Sequence, residues 1–276
     1  MGASREPVSL DDPRLDDYRH LTDPAALTAR GLFVAEGRLV VARLAASPRH
    51  RVRSLLLTET AAAAMTTVLE GLDAAVPAFI VPQAVMNGVA GFNIHRGCLA
   101  LADRPAARGL DDLALREASA VVVAEGVNNP DNVGGLFRNA AALGAAAIVL
   151  GPGCGDPLYR KAVRTSMAAT LDLPYVEQVA WPDALDRLRQ DGLALVACTP
   201  DPAAPSLYDV ALPSRAAVLV GAEGTGLTAA ARARSDLAVR IPMHGTMDSL
   251  NVATAAAVVL SALAAARGRM ASRPER

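Results

Sequence analysis

Hydrophobic positions along this chain fall into two patterns. Short continuous runs rich in valine, leucine and alanine read as buried strands, and stretches with apolar residues every three or four positions read as helices. In the first part of the chain this predicts strands at 52–57, 78–81 and 97–101, with the apolar run 32–34 leading into Ala35-Glu36-Gly37. Helices are expected at 39–46, 58–70 and 83–89, and Asp23-Pro24 offers an N-cap and a first-turn proline for an earlier one. Residues 1–21 are polar and proline-interrupted, and read as a lead segment packed loosely on the body. Residues 22–104 then form a small α/β domain.

Residues 105–119 are charged and punctuated by Pro and Gly, the composition of a linker. From 120 onward the alternation is regular. Strands are expected at 120–124, 146–150, 175–179, 193–197, 216–220 and 237–241. Helices are expected at 133–143, 158–169 and 182–190, from Thr228, and from Leu250 to the end of the domain. Strands apolar throughout their length predict a mostly parallel sheet with helices on both faces, an α/β fold over 120–267. Residues 268–276 read as a frayed tail.

The stretch 241–260, IPMHGTMDSLNVATAAAVVL, stands out. Pro242 closes a strand, because it has no N–H to give to a ladder. Ser249 is placed to cap the following helix, and Asp248 puts a carboxylate near its positive end. From Leu250 there is no Gly or Pro until Gly268, and alanine dominates. A polar helix mouth on an apolar body suits a ligand site, and suits equally an ordinary capped core helix. Asn251, Thr254 and Ser261 fit a buried helix better than a membrane span.

With 276 residues the chain can hold two domains, and 52% apolar against 20% charged residues makes it folded. Aromatic residues are only 3%, so the core is aliphatic and little surface is available for stacking bases. A net charge of −1 argues against a nucleic-acid partner unless positive charge is gathered locally. Cys98, Cys154 and Cys198 lie far apart, with no zinc or redox spacing, so no metal is expected and a reducing cytoplasm is the simplest setting. Arg5, Glu6, Asp11 and Asp12 precede any apolar run, so no signal peptide is visible.

Ligands of an open parallel sheet sit outside the carboxyl ends of its strands. Three loops there are unusual: 125–138 (EGVNNPDNVGGLFR), 221–227 (GAEGTGL) and 243–251. The second has glycines spaced G-x-x-G-x-G rather than G-x-G-x-x-G, and the chain has no phosphate loop ending in Gly-Lys-Ser or Gly-Lys-Thr. A dinucleotide-dependent enzyme is therefore weakly supported. Each glycine could merely make a turn, but three such loops, each opening a helix after a strand, point to a shared ligand site.

The motifs Asn132-x-Gly134-x-x-x-Arg138-x-Ala140, Gly221-x-Glu223-Gly224-x-Gly226-Leu227 and Ile241-Pro242-Met243-x-Gly245-x-x-x-Ser249-Leu250-Asn251-Val252-Ala253 resemble the three motifs of the SpoU/TrmH RNA 2′-O-ribose methyltransferases, in the same order. The resemblance covers about 120–267. The first domain resembles, through Phe33-Val34-Ala35-Glu36-Gly37 and His95-Arg96-Gly97-Cys98-Leu99-Ala100, the L30e-like substrate-binding domain often fused ahead of the catalytic one. The chain departs from the family at Ala168, where glycine is frequent.

The resemblance implies a deep trefoil knot at the C-terminal end of the catalytic domain, S-adenosylmethionine as cofactor, and a homodimer formed through that domain. It implies methyl transfer to a ribose 2′-hydroxyl, of rRNA ahead of tRNA. Arg138 would be the central catalytic residue, a fixed cation on the substrate phosphate and on charge developing at the 2′-oxygen; read without the motif it is a surface cation. Asn132 would shape the first loop and contact substrate, or simply cap its helix. Glu223 would hold the neighbouring loop or the arginine, or stand in solvent. Ser249 and Asn251 would orient ribose or phosphate. Thr199, Gly221, Gly224, Ile241, Met243 and Leu250 match cofactor positions. Two basic clusters could meet RNA phosphates or be solvated faces: Arg160, Lys161 and Arg164 on one helix, and Arg49, Arg51 and Arg53 in the first domain. The competing reading is an RNA-binding protein that kept the fold and lost catalysis, against which the intact Arg138, Glu223, Ser249 and Asn251 speak.

Overall fold

The computed structural model describes residues 4–21, 23–94 and 96–271. They divide into two compact units, the first within 4–106 with 157–172, the second of 107–156 with 173–271.

The first unit is built on five strands: β1 (Ser4–Pro7), β2 (Leu32–Glu36), β3 (Val52–Leu57), β4 (Pro77–Ile80) and β5 (Cys98–Asp103). Their order is β1-β4-β3-β5-β2. β4 runs parallel to β1 and β3, and β5 antiparallel to β3 and β2. Strand side chains alternate between faces, so β3 sends Leu55 and Leu57 into one core and Leu56 into another. At β2, β3 and β5 the sheet is thus buried on both sides, and these strands read as largely apolar runs.

Two expectations fail in this unit for physical reasons. The lead segment is not loosely packed. Residues Pro13–His20 form a 3-10 helix, and Leu15, Tyr18 and Leu21 are buried with Phe79, Met86 and Ile94. One apolar residue every three positions is the period of a 3-10 helix, and among so many charges it does not register as a hydrophobic face. The Tyr18 hydroxyl is 2.8 Å from the Ser54 hydroxyl, which satisfies both in the core.

The second failure is the helix expected at 158–169. It breaks into Arg160–Thr165 and Ala169–Asp172, with Met167 and Ala168 at φ of 54° and 72° between them. Left-handed backbone favours glycine, so Ala168 is the chain's own residue at a turn whose angles suit the glycine frequent in the family. Leu158, Val163, Ala168 and Leu171 join the first unit's core. Arg43 and Arg49 donate to the carbonyls of Met167 and Asp172, each at 2.7 Å. Residues 157–172 therefore belong with the first unit, although they lie in the middle of the stretch expected as one domain over 120–267.

The second unit carries β6 (Ala120–Glu125), β7 (Ala147–Leu150), β8 (Tyr175–Val176), β9 (Ala194–Cys198), β10 (Ala216–Gly221) and β11 (Leu237–Val239). Their order is β11-β9-β10-β6-β7-β8, and every pairing is parallel. β8 and β11 are shorter than expected. The expected linker over 105–119 is packed: Leu113, Leu115 and Ala118 enter the core, and the Arg215 guanidinium donates to the carbonyls of Leu115 and Ala118. The last helix, Val252–Ala271, runs into the expected tail, of which 272–276 lie outside the described residues, as does His95. Among the described residues no helix is long and apolar enough to cross a membrane.

Candidate functional site

β11, β9, β10 and β6 are neighbours and parallel, so their carboxyl ends share one edge of the second sheet. Thr199 follows β9, and its N–H donates to the Val239 carbonyl at 3.0 Å. Gly221 ends β10, and Ile241 follows β11. Thr199, Gly221 and Ile241, three of the six residues expected at a cofactor, therefore lie at the ends of three adjacent strands.

The loop after β10 folds back on itself. The Gly226 N–H donates to the Ala222 carbonyl at 2.9 Å. A Cβ on Gly221 would stand 2.2 Å from the Gly226 carbonyl carbon, so only glycine fits there. The loop ends at Thr228, whose N–H and hydroxyl both donate to the Glu125 carboxylate at 2.9 Å. Glu125 is buried at the end of β6. Sequence reading missed it as a site residue, and the available signal was a carboxylate ending an otherwise apolar strand. Buried charge needs such partners.

The helix after β6 is Pro130–Ala142, opened by Asn129, whose side chain accepts from the Asp131 N–H. Asn132 is therefore not the cap but a buried residue of the first turn, and Arg138 stands a turn further in than expected. The amide of Asn132 is engaged at both ends. Its Nδ2 donates to Glu223 Oε1 at 2.8 Å, and its Oδ1 accepts from Asn251 Nδ2 at 2.7 Å. Asn251 Oδ1 in turn accepts from the N–H groups of Ala253 and Thr254. Asn251, not Ser249, thus caps the last helix. One chain of polar contacts, Glu223–Asn132–Asn251, ties the three glycine-bearing loops together.

The helix 130–142 lies close against the last helix. A Cβ on Gly135 would come 2.9 Å from that of Ala253, and Asn139 Nδ2 donates to the Ala253 carbonyl at 2.8 Å. Arg138, three residues after Gly135, is exposed, and its guanidinium makes no hydrogen bond or ion pair among the described residues. Replacing Asn251 by Ala is expected to lose the cap, about 1 kcal/mol, and to free Asn132. Thermal unfolding should show a drop of a few degrees in Tm, and an unchanged Tm would deny Asn251 the capping role.

Gly224, Ser249 and Leu250 are exposed, while Ile241 and Met243 are half-buried, so this edge offers open backbone beside partly apolar side chains. Burial pushes the thiol of Cys198 up to about 12, and Cys154, also raised by burial, donates to the Ala124 carbonyl at 3.3 Å.

The expected RNA-facing cations divide. Arg160 lies over the Phe92 ring and pairs with buried Glu36, which Arg164 also reaches at 3.4 Å. Its side chain is only 13% exposed, so Arg160 serves the first unit's packing and is withdrawn as a phosphate contact. Arg53 pairs with Asp103 at 2.6 Å and Arg49 is tied to Asp172, leaving Arg51 exposed; Lys161 sits beside Arg160 on the same short helix.

These features define an α/β protein of the class that holds its ligand at the carboxyl edge of a parallel sheet. Within that class the chain belongs to the SpoU rRNA Methylase family, whose model matches residues 119–261. A Mycobacterium tuberculosis protein named as an uncharacterised tRNA/rRNA methyltransferase is 45% identical over 90% of this chain and 87% of its own. The 23S rRNA (guanosine(2553)-2′-O)-methyltransferase of Bacillus subtilis is 25% identical over 91% of this chain and 96% of its own. The SpoU methyltransferase AviRb of Streptomyces viridochromogenes, solved in complex with the cofactor AdoMet, superposes with a TM-score of 0.77 at 24% identity, over 95% of this chain and 100% of that one. That likeness establishes the fold.

Proposed function

We propose that this chain methylates a ribose 2′-hydroxyl of ribosomal RNA, with S-adenosylmethionine as methyl donor. The carrying observation is the Glu223–Asn132–Asn251 chain, which fixes three loops at one sheet edge, with the unpaired Arg138 six residues along the helix from Asn132. The edge fits such a cofactor. Half-buried Ile241 and Met243 offer apolar surface to an adenine, and the open backbone at Gly224 and Leu250, with half-buried Gly221 and Thr199 alongside, offers groups to its polar edges.

When bound, S-adenosylmethionine supplies a methyl group on a sulfonium, an electrophile that needs no activation. What the residues of this chain add is alignment of the 2′-oxygen and help for its departing proton. A guanidinium does not give up its proton in proteins, so Arg138 acts as a cation. It holds the substrate phosphate and stabilises negative charge growing on the 2′-oxygen, while a phosphate oxygen or water takes the proton. Asn132 and Glu223 hold the loops that present Arg138. Ser249 and Asn251, at the mouth of the last helix, orient ribose or phosphate.

The same reading includes a first unit that binds RNA, a trefoil knot at the end of the second, a cytoplasmic setting for three free thiols, and a homodimer through the second unit. Half-buried Ala257 and Val258 on the last helix suit a dimer face. Calorimetric titration with S-adenosylmethionine and S-adenosylhomocysteine is expected to give saturable binding of at least one. Silence with and without total rRNA would overturn the reading in favour of an RNA-binding relic.

A further inference from the structure

The first unit holds a cavity of about 540 Å³, lined in part by Arg96 and Gly97 of the stretch that carries its L30e-like resemblance. Its lining includes Arg38, Arg96, Gln83, Thr58 and a single carboxylate, Glu59. Arg38 and Arg96 are exposed, and neither guanidinium makes a hydrogen bond or ion pair among the described residues. That sets them apart from the cations expected to meet RNA, of which Arg49, Arg53 and Arg160 are engaged by the protein.

The reason they are unpaired is visible next to them. Glu36, two residues before Arg38, is buried and held by Arg160 and Arg164. Two guanidiniums on one carboxylate leave that group net positive, so Glu36 does not draw Arg38 or Arg96 onto itself. Arg96 lies against Gly37, where a Cβ would stand 3.5 Å from its Cδ. The helices Arg38–Ala46 and Gln83–Ala90 both open without a side-chain cap, and their first residues line the cavity. Uncapped N–H groups add a positive end to the positive side chains.

We propose that this cavity takes a phosphodiester of the RNA substrate, clamped by Arg38 and Arg96. The inference rests on the RNA methyltransferase reading above and names the part of the first unit that meets the RNA. Guanidinium forks match phosphate oxygens in pairs. A cavity of this size has room for the sugars flanking the phosphate. Val81 and Pro82, also in the lining, give those sugars an apolar surface.

The test is binding of fragmented 23S rRNA by the full chain and by its Arg38→Ala/Arg96→Ala variant at several salt concentrations. Affinity at low salt is expected to fall about tenfold to a hundredfold, and the log–log salt slope to become shallower by about two. Calorimetric affinity for S-adenosylmethionine should be unchanged. An Arg108→Ala/Arg232→Ala variant, which removes two exposed cations elsewhere, should stay within about twofold of the parent. An equal loss in that control would reduce the effect to bulk charge and overturn the site. So would unchanged RNA affinity in the first variant, with the methyltransferase reading standing as long as cofactor still binds. Saturable uptake of inorganic phosphate that the first variant loses while RNA binding persists would reassign the cavity to a free anion. Failure of the parent chain to bind cofactor would instead strike the underlying reading.

Discussion

Arg138→Ala is expected to abolish methyl transfer and leave the cofactor site intact. Removing one group that stabilises charge in the transition state costs about 10²–10³ in kcat. Because Arg138 is exposed and makes no bond within the described residues, its loss breaks nothing in the fold. Tm and S-adenosylmethionine affinity should therefore stay close to the parent values while single-turnover transfer to rRNA collapses. Arg138→Lys separates the two parts of the role. It keeps a point charge but not the planar fork, so partial recovery marks electrostatics and no recovery marks bidentate orientation. Near-normal turnover in the alanine variant would remove Arg138 from the mechanism.

Gly221→Ala should damage the cofactor site itself. Its Cβ would meet backbone, the Gly226 carbonyl carbon at 2.2 Å and the Leu227 nitrogen at 2.3 Å, and backbone cannot swing aside as a side chain can. Overpacking of this kind costs about 1–3 kcal/mol. The strain falls between the end of β10 and the Glu125–Thr228 pair, so the loop carrying Glu223 and Gly224 must move. Cofactor affinity is expected to fall at least about tenfold, since each ~1.4 kcal/mol is a factor of ten, with Tm lower by several degrees. Gly268→Ala is the matched control. Beyond its chain neighbours and its own helix's backbone, nothing lies within 4 Å of its added Cβ, and in a helix the change is neutral or mildly stabilising. Parent-like cofactor binding by Gly221→Ala would show that the loop after β10 is not part of the cofactor site.

Much of the fold was legible because its strands are buried on both faces. Runs such as Leu55-Leu56-Leu57 and Val121-Val122-Val123 signal strand without help from neighbours. The features that escaped depend on partners far along the chain. Ser249 is as good a cap in isolation as Asn251, and Asn251 takes the role while its own amide is held by Asn132, 119 residues away. Asn132 looks like a helix cap until Asn129 and Pro130 are seen to start the helix earlier. The cations at 160–164 look like an RNA-facing stripe until Glu36, more than 120 residues earlier, claims Arg160.

The sequence by itself determined the α/β alternation, the parallel second sheet, and the three loops with Asn132, Arg138, Gly221, Glu223 and Asn251. These follow from local hydrophobic period, turn chemistry and motif spacing, all carried by nearby residues. Only the tertiary structure decided that 157–172 pack with the first unit, that the Glu223–Asn132–Asn251 chain closes, and which arginines are left unpaired. Those outcomes turn on which polar group reaches which partner first. That competition is settled in three dimensions, because a buried charge or amide takes whatever partner the packing brings within about 3 Å.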